Sequence, residues 1–251
     1  MGQGDIAFVR AGGGAIIVVS QEGEKIFETL PGGGKHISPD GKRIVFSGYR
    51  EGVASARLWT MPITGGQPVQ LPMTADLNAW QPRWSPGGKW IAFESERDVP
   101  GERKLGENIS VISSKGGEPR QLTYHTDCFC ELEAWSPRGD SIACACSHKT
   151  IRIIPATGGE PRTVLKADVL ESHQGSLAWT PDGSRLIYTA KGMLWTVSTA
   201  GGEPEAIKTD VDGNILLFAL SPDGKTIAFN VPTGGDLDLW LMEDFPSLVK
   251  R

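Results

Sequence analysis

The sequence lacks the long apolar run that a membrane-spanning helix requires. Its strongest apolar run, residues 15–19, has the length of one β-strand, whereas crossing a bilayer takes about 20 apolar residues. Residues 1–5 also lack the basic segment and the apolar segment with which a signal peptide begins. We therefore expect no direct membrane insertion and no signal peptide in this chain.

An excess of positive charge is also missing. The 25 lysines and arginines are outnumbered by 30 aspartates and glutamates, which gives a net charge of −5. Nucleic-acid binding normally needs a basic stripe, and none is present, so we exclude a nucleic-acid partner. No nucleophile elbow and no phosphate-binding loop occurs either. We predict no catalytic residue, no metal ligand and no cofactor.

Cysteine is scarce, and all four residues lie in one short region, at Cys128, Cys130, Cys144 and Cys146. A Cys-x-Cys pair on a strand places both side chains on one face about 7 Å apart, which is awkward for one tetrahedral metal. Buried free thiols and a cross-strand disulfide in an oxidising compartment are the other two readings. The sequence leaves these three alternatives open.

Turn residues, in contrast, are abundant and periodic. Ser-Pro-Asp-Gly-Lys occupies residues 38–42 and 221–225, and near-copies begin at residues 85, 136 and 180. We call these five segments the anchors. Pro sets φ and Asp-Gly supplies the positive φ of a tight hairpin, so each anchor predicts a turn between two strands. We expect the anchor aspartates to bond nearby backbone N–H groups.

Each of the first four anchors is followed by an apolar strand, a variable loop, a third strand, a Gly-Gly turn and a fourth strand, whereas the last unit ends after its third strand. Four short antiparallel strands per ~40–50 residues form one blade of a propeller. The sequence predicts one all-β domain over residues 1–251, a six-bladed β-propeller of four-stranded antiparallel blades with incomplete first and last units. The units lie near residues 5–31, 35–72, 82–123, 133–165, 177–208 and 218–245. The tryptophans that recur before the anchors and on the third strands are expected to pack between sheets.

These residues resemble the TolB-type β-propeller repeat of bacterial proteins. Trp-Ser-Pro at residues 84–86 and 135–137, and Trp-Thr-Pro at residues 179–181, match the start of that repeat. The resemblance implies the fold and a protein-binding role rather than a reaction. It also implies a periplasmic or other extracytoplasmic location, although the sequence itself leaves the location unknown.

Three groups of residues are candidate binding sites. The first is aromatic and basic, because Trp, Tyr and Arg favour binding hot spots, although Trp80 is also explained by local packing. It comprises Trp80, Tyr49, Arg50 and Arg97.

The second group follows two successive fourth strands and could hold a metal or act as an acid–base pair, or simply cap turns by hydrogen bonds. It comprises Tyr124, His125, Asp127 and His173, with Glu171 nearby.

The third group, His36 and Arg83, occupies a repeat position that is alanine in the other anchored units. Both are expected to face the central channel and to favour a polar or anionic ligand.

The predicted function is a non-enzymatic binding scaffold that recognises a protein or peptide through the loop-rich face of the propeller. One alternative is a metal-assisted lyase or hydrolase that acts on a polysaccharide at the channel mouth, for which His36, His125 and His173 must converge. Another is a sensor domain of a larger bacterial regulator or kinase, which the incomplete first unit favours.

Overall fold

The computed structural model of the protein describes most of the chain. The described residues are 6–9, 16–19, 25–28, 34–49, 55–96, 108–124, 130–147, 149–166, 177–209, 211, 213–221, 223–233 and 236–243. The chain divides into two compact units, Met1–Tyr124 (unit 1) and His125–Arg251 (unit 2). The organisation as one domain stays a prediction. Among the described residues, no helix has the length and apolar character needed to cross a membrane.

Unit 1 contains three antiparallel sheets. The first has three strands, β1 (Ile6–Val9), β2 (Ile16–Val19) and β3 (Lys25–Glu28). The second has four strands, β4 (Lys35–Ile37), β5 (Arg43–Tyr49), β6 (Ala56–Pro62) and β7 (Val69–Gln70). The third also has four, β8 (Asn78–Trp84), β9 (Trp90–Glu96), β10 (Asn108–Ser113) and β11 (Arg120–Gln121).

Unit 2 contains three more antiparallel sheets. The first has four strands, β12 (Cys130–Trp135), β13 (Ser141–Cys146), β14 (Thr150–Pro155) and β15 (Arg162–Lys166). The second has four, β16 (Leu177–Trp179), β17 (Arg185–Ala190), β18 (Met193–Ser198) and β19 (Glu205–Ile207). The last has three, β20 (Phe218–Leu220), β21 (Ile227–Thr233) and β22 (Asp236–Met242).

The predicted number of six blades is wrong. In the described part of the chain, five sheets contain an anchor turn, so the blades number five, and four of these have the full four strands. The sheet β1–β3 precedes the first anchor and forms without one. The prediction counted this segment as an incomplete blade because its apolar runs match the second, third and fourth strands of the repeat, but an apolar run predicts a strand rather than a blade.

The anchor turns are held by side-chain hydrogen bonds. The Ser38 hydroxyl donates to the Asp40 carboxylate over 2.6 Å, and that carboxylate accepts the Lys42 N–H over 3.1 Å. Asp182 and Asp223 accept a hydroxyl and a backbone N–H in the same way. The hydroxyl bonds, followed by the other bonds, hold the pKa of each carboxyl below its usual value. The prediction that these aspartates bond local N–H groups is confirmed.

One Gly-Gly turn also joins two neighbouring blades. The Gly117 N–H donates over 2.9 Å to the carbonyl oxygen of Pro72, at the end of the preceding blade. At Gly116, which has a φ of +89°, an added Cβ atom would lie 2.4 Å from that same oxygen. Glycine is therefore required here for the close approach as well as for the positive φ.

The core of unit 1 lies between its two four-stranded sheets. Trp84 is 5% exposed and packs there with Val45, Leu58 and Phe93. This confirms that Trp84 packs between blades. Trp240 on β22 departs from the prediction of packing, since it is 43% exposed. The reason is that the described residues supply no fourth strand beside β22.

Candidate functional site

Two of the predicted binding residues meet at one end of unit 1. Tyr49 ends β5 and Trp80 lies near the start of β8, and their ring centroids are 5.5 Å apart at an interplanar angle of 69°. This edge-to-face contact joins neighbouring blades. Tyr49 remains 48% exposed, whereas Trp80 is partly buried. The pair therefore presents an aromatic surface to solvent, and its binding role stays a prediction.

The chain beneath this pair is fixed by polar contacts. The Arg57 guanidinium donates to the carbonyl oxygens of Ala56 and Leu77 over 3.1 Å and 2.9 Å, and it pairs with the Asp76 carboxylate. The Asn78 side-chain oxygen accepts the Ala56 N–H over 3.0 Å. These bonds tie the beginning of β8 to the beginning of β6. The aromatic pair consequently stands on a rigid base, which lowers the entropy lost on binding.

A β-bulge separates Trp80 from Arg83. The pairing of β8 with β9 shifts register between these two residues, and Gln81 within the bulge has a φ of +48°. Gly34 lies so close that an added Cβ atom would be 2.5 Å from the Gln81 Cα. The Gln81 Oε1 atom is buried and has no hydrogen-bond partner among the described residues. The bulge redirects the side chains that follow it, as bulges near binding sites do.

His36 and Arg83 lie close enough for the Arg83 charge to act on His36, and the prediction that both face the central channel stays a prediction. The Trp84 N–H donates to His36 Nδ1 over 3.0 Å. Burial, helped by the Arg83 charge, lowers the pKa of His36 to about 4. At neutral pH, His36 is therefore uncharged and carries its proton on Nε2. Arg83 supplies the positive charge of this group, and that charge would favour an anionic ligand. Whether the two residues bind one stays a prediction.

Of the other predicted site residues, only Tyr124 lies among the described residues. Tyr124 is 76% exposed, and its hydroxyl donates to the Gln121 carbonyl over 3.4 Å. The remaining residues of that group and the two arginines predicted to accompany the aromatic pair lie outside the described residues: His125, Asp127, His173, Glu171, Arg50 and Arg97. The metal or acid–base hypothesis for the histidine group therefore stays a prediction.

The structure decides between the alternatives for two of the cysteines. Cys130 and Cys146 face each other across β12 and β13 and form a disulfide. Cys144 lies two residues before Cys146, is fully buried and is not part of the disulfide. Cys128 lies outside the described residues. The reading of all four as free thiols is wrong, because the strand register brings one residue of each pair into direct opposition.

Sequence reasoning missed a pocket of about 400 Å³ in unit 2. Lys166 of β15, Tyr188 of β17 and Trp195 of β18 contribute to its wall, together with Lys191 from the turn between β17 and β18. Burial raises the pKa of Tyr188 to about 12. One signal in the sequence is the short Lys191-Gly192 turn between β17 and β18, whereas residues 50–55 and 97–107 connect the corresponding strands of the four-stranded sheets in unit 1.

Comparison with known proteins gives distant relatives. No family model matches the chain. The uncharacterized peptidase YuxL of Bacillus subtilis (strain 168) is 28% identical over 200 residues, which are 77% of this chain and 28% of that protein. The uncharacterized protein Atu1656 of Agrobacterium fabrum is 26% identical over 177 residues, which are 68% of this chain and 56% of that protein. The matched region thus spans less than two thirds of either relative.

Solved structures show the fold. A putative TolB from Agrobacterium tumefaciens superposes with a TM-score of 0.68 at 20% identity, over 88% of this chain and 80% of that one. TolB from Acinetobacter baumannii superposes with a TM-score of 0.64 at 14% identity, over 96% of this chain and 61% of that one. An oligogalacturonate lyase in complex with manganese superposes with a TM-score of 0.64 at 17% identity, over 99% of this chain and 79% of that one. Because one fold supports many functions, these structural similarities do not assign an activity to this chain. The chain has the fold of a TolB-type β-propeller.

Proposed function

We propose that this propeller is a non-enzymatic binding scaffold and that it recognises a protein or peptide segment at the end of unit 1 where Tyr49 and Trp80 meet. The observation that carries the proposal is the edge-to-face pair itself, since Tyr49 is 48% exposed on a base that is fixed by hydrogen bonds. Tyrosine and tryptophan are enriched at binding hot spots because they offer large rigid surfaces with a polar tip.

The positive charge of Arg83 adds a chemical preference to this surface. Arg83 follows the bulge that begins after Trp80, on the same strand. We expect the bound segment to combine an apolar or aromatic side chain with an acidic one. The TolB-type fold supports a scaffold role of this kind.

The alternative of a metal-assisted lyase gains no support from His36. Its Nδ1 atom already accepts the Trp84 N–H, and its Nε2 atom carries the proton, so neither nitrogen offers a free lone pair to a metal. The similarity to a manganese-bound lyase is a similarity of fold. The sensor-domain alternative stays a prediction, and the greater length of the relatives is compatible with it.

The location outside the cytoplasm is also part of the proposal. The disulfide between Cys130 and Cys146 supports it, because such bonds persist mainly in oxidising compartments.

Selection of peptides on the intact chain tests the binding role. A displayed library of random peptides is enriched on the immobilised protein, and the dissociation constants of the resulting peptides are measured by fluorescence anisotropy. Trp80→Ala is expected to weaken the selected peptides about 30-fold, which corresponds to a hot-spot loss of about 2 kcal/mol. Tyr49→Ala is expected to weaken them by about tenfold.

Trp90→Ala provides the matched control. Trp90 is also exposed, at 45%, but it begins β9 beside the anchor turn, whereas Trp80 pairs with Glu94 towards the other end of that strand. The control is expected to bind as the wild type does. Failure to enrich any peptide, or equal weakening by Trp80→Ala and Trp90→Ala, would refute the proposed surface.

A further inference from the structure

Three sulfur atoms form a compact buried group in the first blade of unit 2. The Sγ atoms of Cys130, Cys144 and Cys146 all lie within 4.8 Å of one another. Cys130 comes from β12 and the other two come from β13. All three side chains are buried, with exposures of 0%, 0% and 2%. No other group of three potential metal ligands with this spacing occurs in the described part of the chain.

The distance between two of these sulfur atoms matches that of a metal site. Four ligands arranged as a tetrahedron at ~2.3 Å from zinc lie about 3.8 Å from one another. The Cys144 and Cys146 Sγ atoms are 3.7 Å apart. The strand geometry alone predicts a wider separation for a Cys-x-Cys pair. The two side chains instead lean towards each other, so the objection to a shared metal does not hold for this pair.

The strand register brings the third sulfur to the same place. Cys130 is paired directly with Cys146, at the end of the β12–β13 hairpin that is farthest from its anchor turn. In the oxidised protein these two sulfurs are bonded to each other and cannot act as thiolate ligands. Reduction frees both of them beside Cys144. The same three residues thus offer either a disulfide with one thiol or three thiols.

We propose that the reduced protein binds one thiophilic metal ion, Zn²⁺, through Cys130, Cys144 and Cys146, and that this metal site and the Cys130–Cys146 disulfide exclude each other. Three cysteine ligands suit zinc because thiolates are soft donors. Solvent or a small anion completes the tetrahedron.

A dithiol reductant gives two electrons and two protons to the Cys130–Cys146 bond, which becomes two thiols, while the reductant becomes a disulfide. Zinc then replaces the protons of three thiols, and three protons leave to solvent. Since Cys130 begins β12 and Cys146 ends β13, local fraying of these strand ends admits the reductant and the metal.

Cobalt substitution tests the proposal on the full chain. Co²⁺ bound to thiolates gives an intense sulfur-to-metal charge-transfer absorption. The wild type is reduced with a phosphine in the presence of Co²⁺, and the absorption is titrated. We expect one cobalt per reduced chain, displaced by Zn²⁺, and no such absorption for the oxidised chain. A reduced chain that binds no cobalt, whether folded or not, overturns the proposal.

Two cysteine variants define the ligands. Cys144→Val replaces the thiol by an apolar side chain that has no metal-binding atom and leaves the disulfide intact, so its oxidised form should show the wild-type circular dichroism. Its reduced form should bind cobalt at least about tenfold more weakly. Cys128→Ser is the matched control, because Cys128 is the one cysteine that the proposal does not use, and it should retain the absorption. Unchanged binding by Cys144→Val, or loss of binding by Cys128→Ser, would show that the ligands are other residues.

Discussion

Acidification is expected to destabilise the protein through His36. Its pKa is about 4 in the folded protein, compared with 6.5 for an unperturbed histidine, and burial is the main cause. The unfolded chain therefore binds a proton at this residue at a higher pH than the folded chain does. The stability that neutral His36 contributes is complete above pH 6.5 and is lost as the pH falls from 6.5 towards 4.

The magnitude of this effect follows from the two pKa values. Proton linkage gives a loss of about 2 kcal/mol in the free energy of unfolding at pH 5, and about 3 kcal/mol at pH 4. The structure gives the reason for the penalty, since a proton on Nδ1 would displace the hydrogen bond that the Trp84 N–H donates to it over 3.0 Å. Protonation would also place a positive charge beside Arg83.

Urea denaturation at pH 7 and pH 5 measures the effect. His36→Gln is the matched variant, because a glutamine oxygen can accept the Trp84 N–H but does not titrate. The other three histidines and all carboxylates are present in both proteins, so the difference between their pH dependences isolates His36. The wild type should lose about 2 kcal/mol more than the variant between the two pH values.

Two results would refute this reasoning. One is an equal loss of stability in the wild type and in His36→Gln. The other is a direct NMR titration of the His36 ring that gives a pKa near 6.5, because the ring would then be as accessible to water in the folded state as in the unfolded state.

Two further predictions concern a disulfide within one blade and a hydrogen bond between two blades. Cys130 and Cys146 are 16 residues apart, so reduction of their disulfide should lower the free energy of unfolding of the metal-free protein by about 3 kcal/mol on the chain-entropy estimate. Urea denaturation with and without a reductant measures this loss, and an unchanged midpoint would contradict it. Asn78→Ala should lower the free energy of unfolding by about 1–3 kcal/mol, because it leaves the buried Ala56 N–H without its acceptor. Thermal unfolding measures this loss, and Asn78→Asp is the control that retains an acceptor oxygen.

The strands were predictable because the anchors act locally. Within one anchor, Ser38 and Asp40 provide the hydroxyl and the carboxylate that close the turn, and Gly41 adopts a φ of +68°. None of these contacts reaches beyond five residues, so each repeat specifies its own hairpin. The same locality explains the wrong number of blades, since the segment before Gly34 has apolar runs but no anchor, and apolar runs alone do not specify a blade.

The disulfide and the spacing of the sulfur atoms could not be read from the sequence in the same way. Whether Cys130 opposes Cys146 or Cys144 depends on the register of β12 against β13, and a shift of two residues would exchange one partner for the other. This register also changes at a bulge between Leu132 and Ala134. The Cys-x-Cys spacing fixes the face on which two side chains lie, but the side-chain torsions then decide the distance between the sulfurs.

The candidate binding site lies where the chain departs from its own repeat. A regular β8 would place Trp80 and Arg83 on opposite faces, because they are three residues apart and strand side chains alternate. The bulge at Gln81 adds a residue on one side of the pairing and breaks that alternation. Sequence periodicity identifies scaffold residues by their recurrence, and it therefore says least about positions that recur nowhere else. Trp80 stands out for that reason, because it is a tryptophan that the repeat does not require and it contacts Tyr49 of the neighbouring blade.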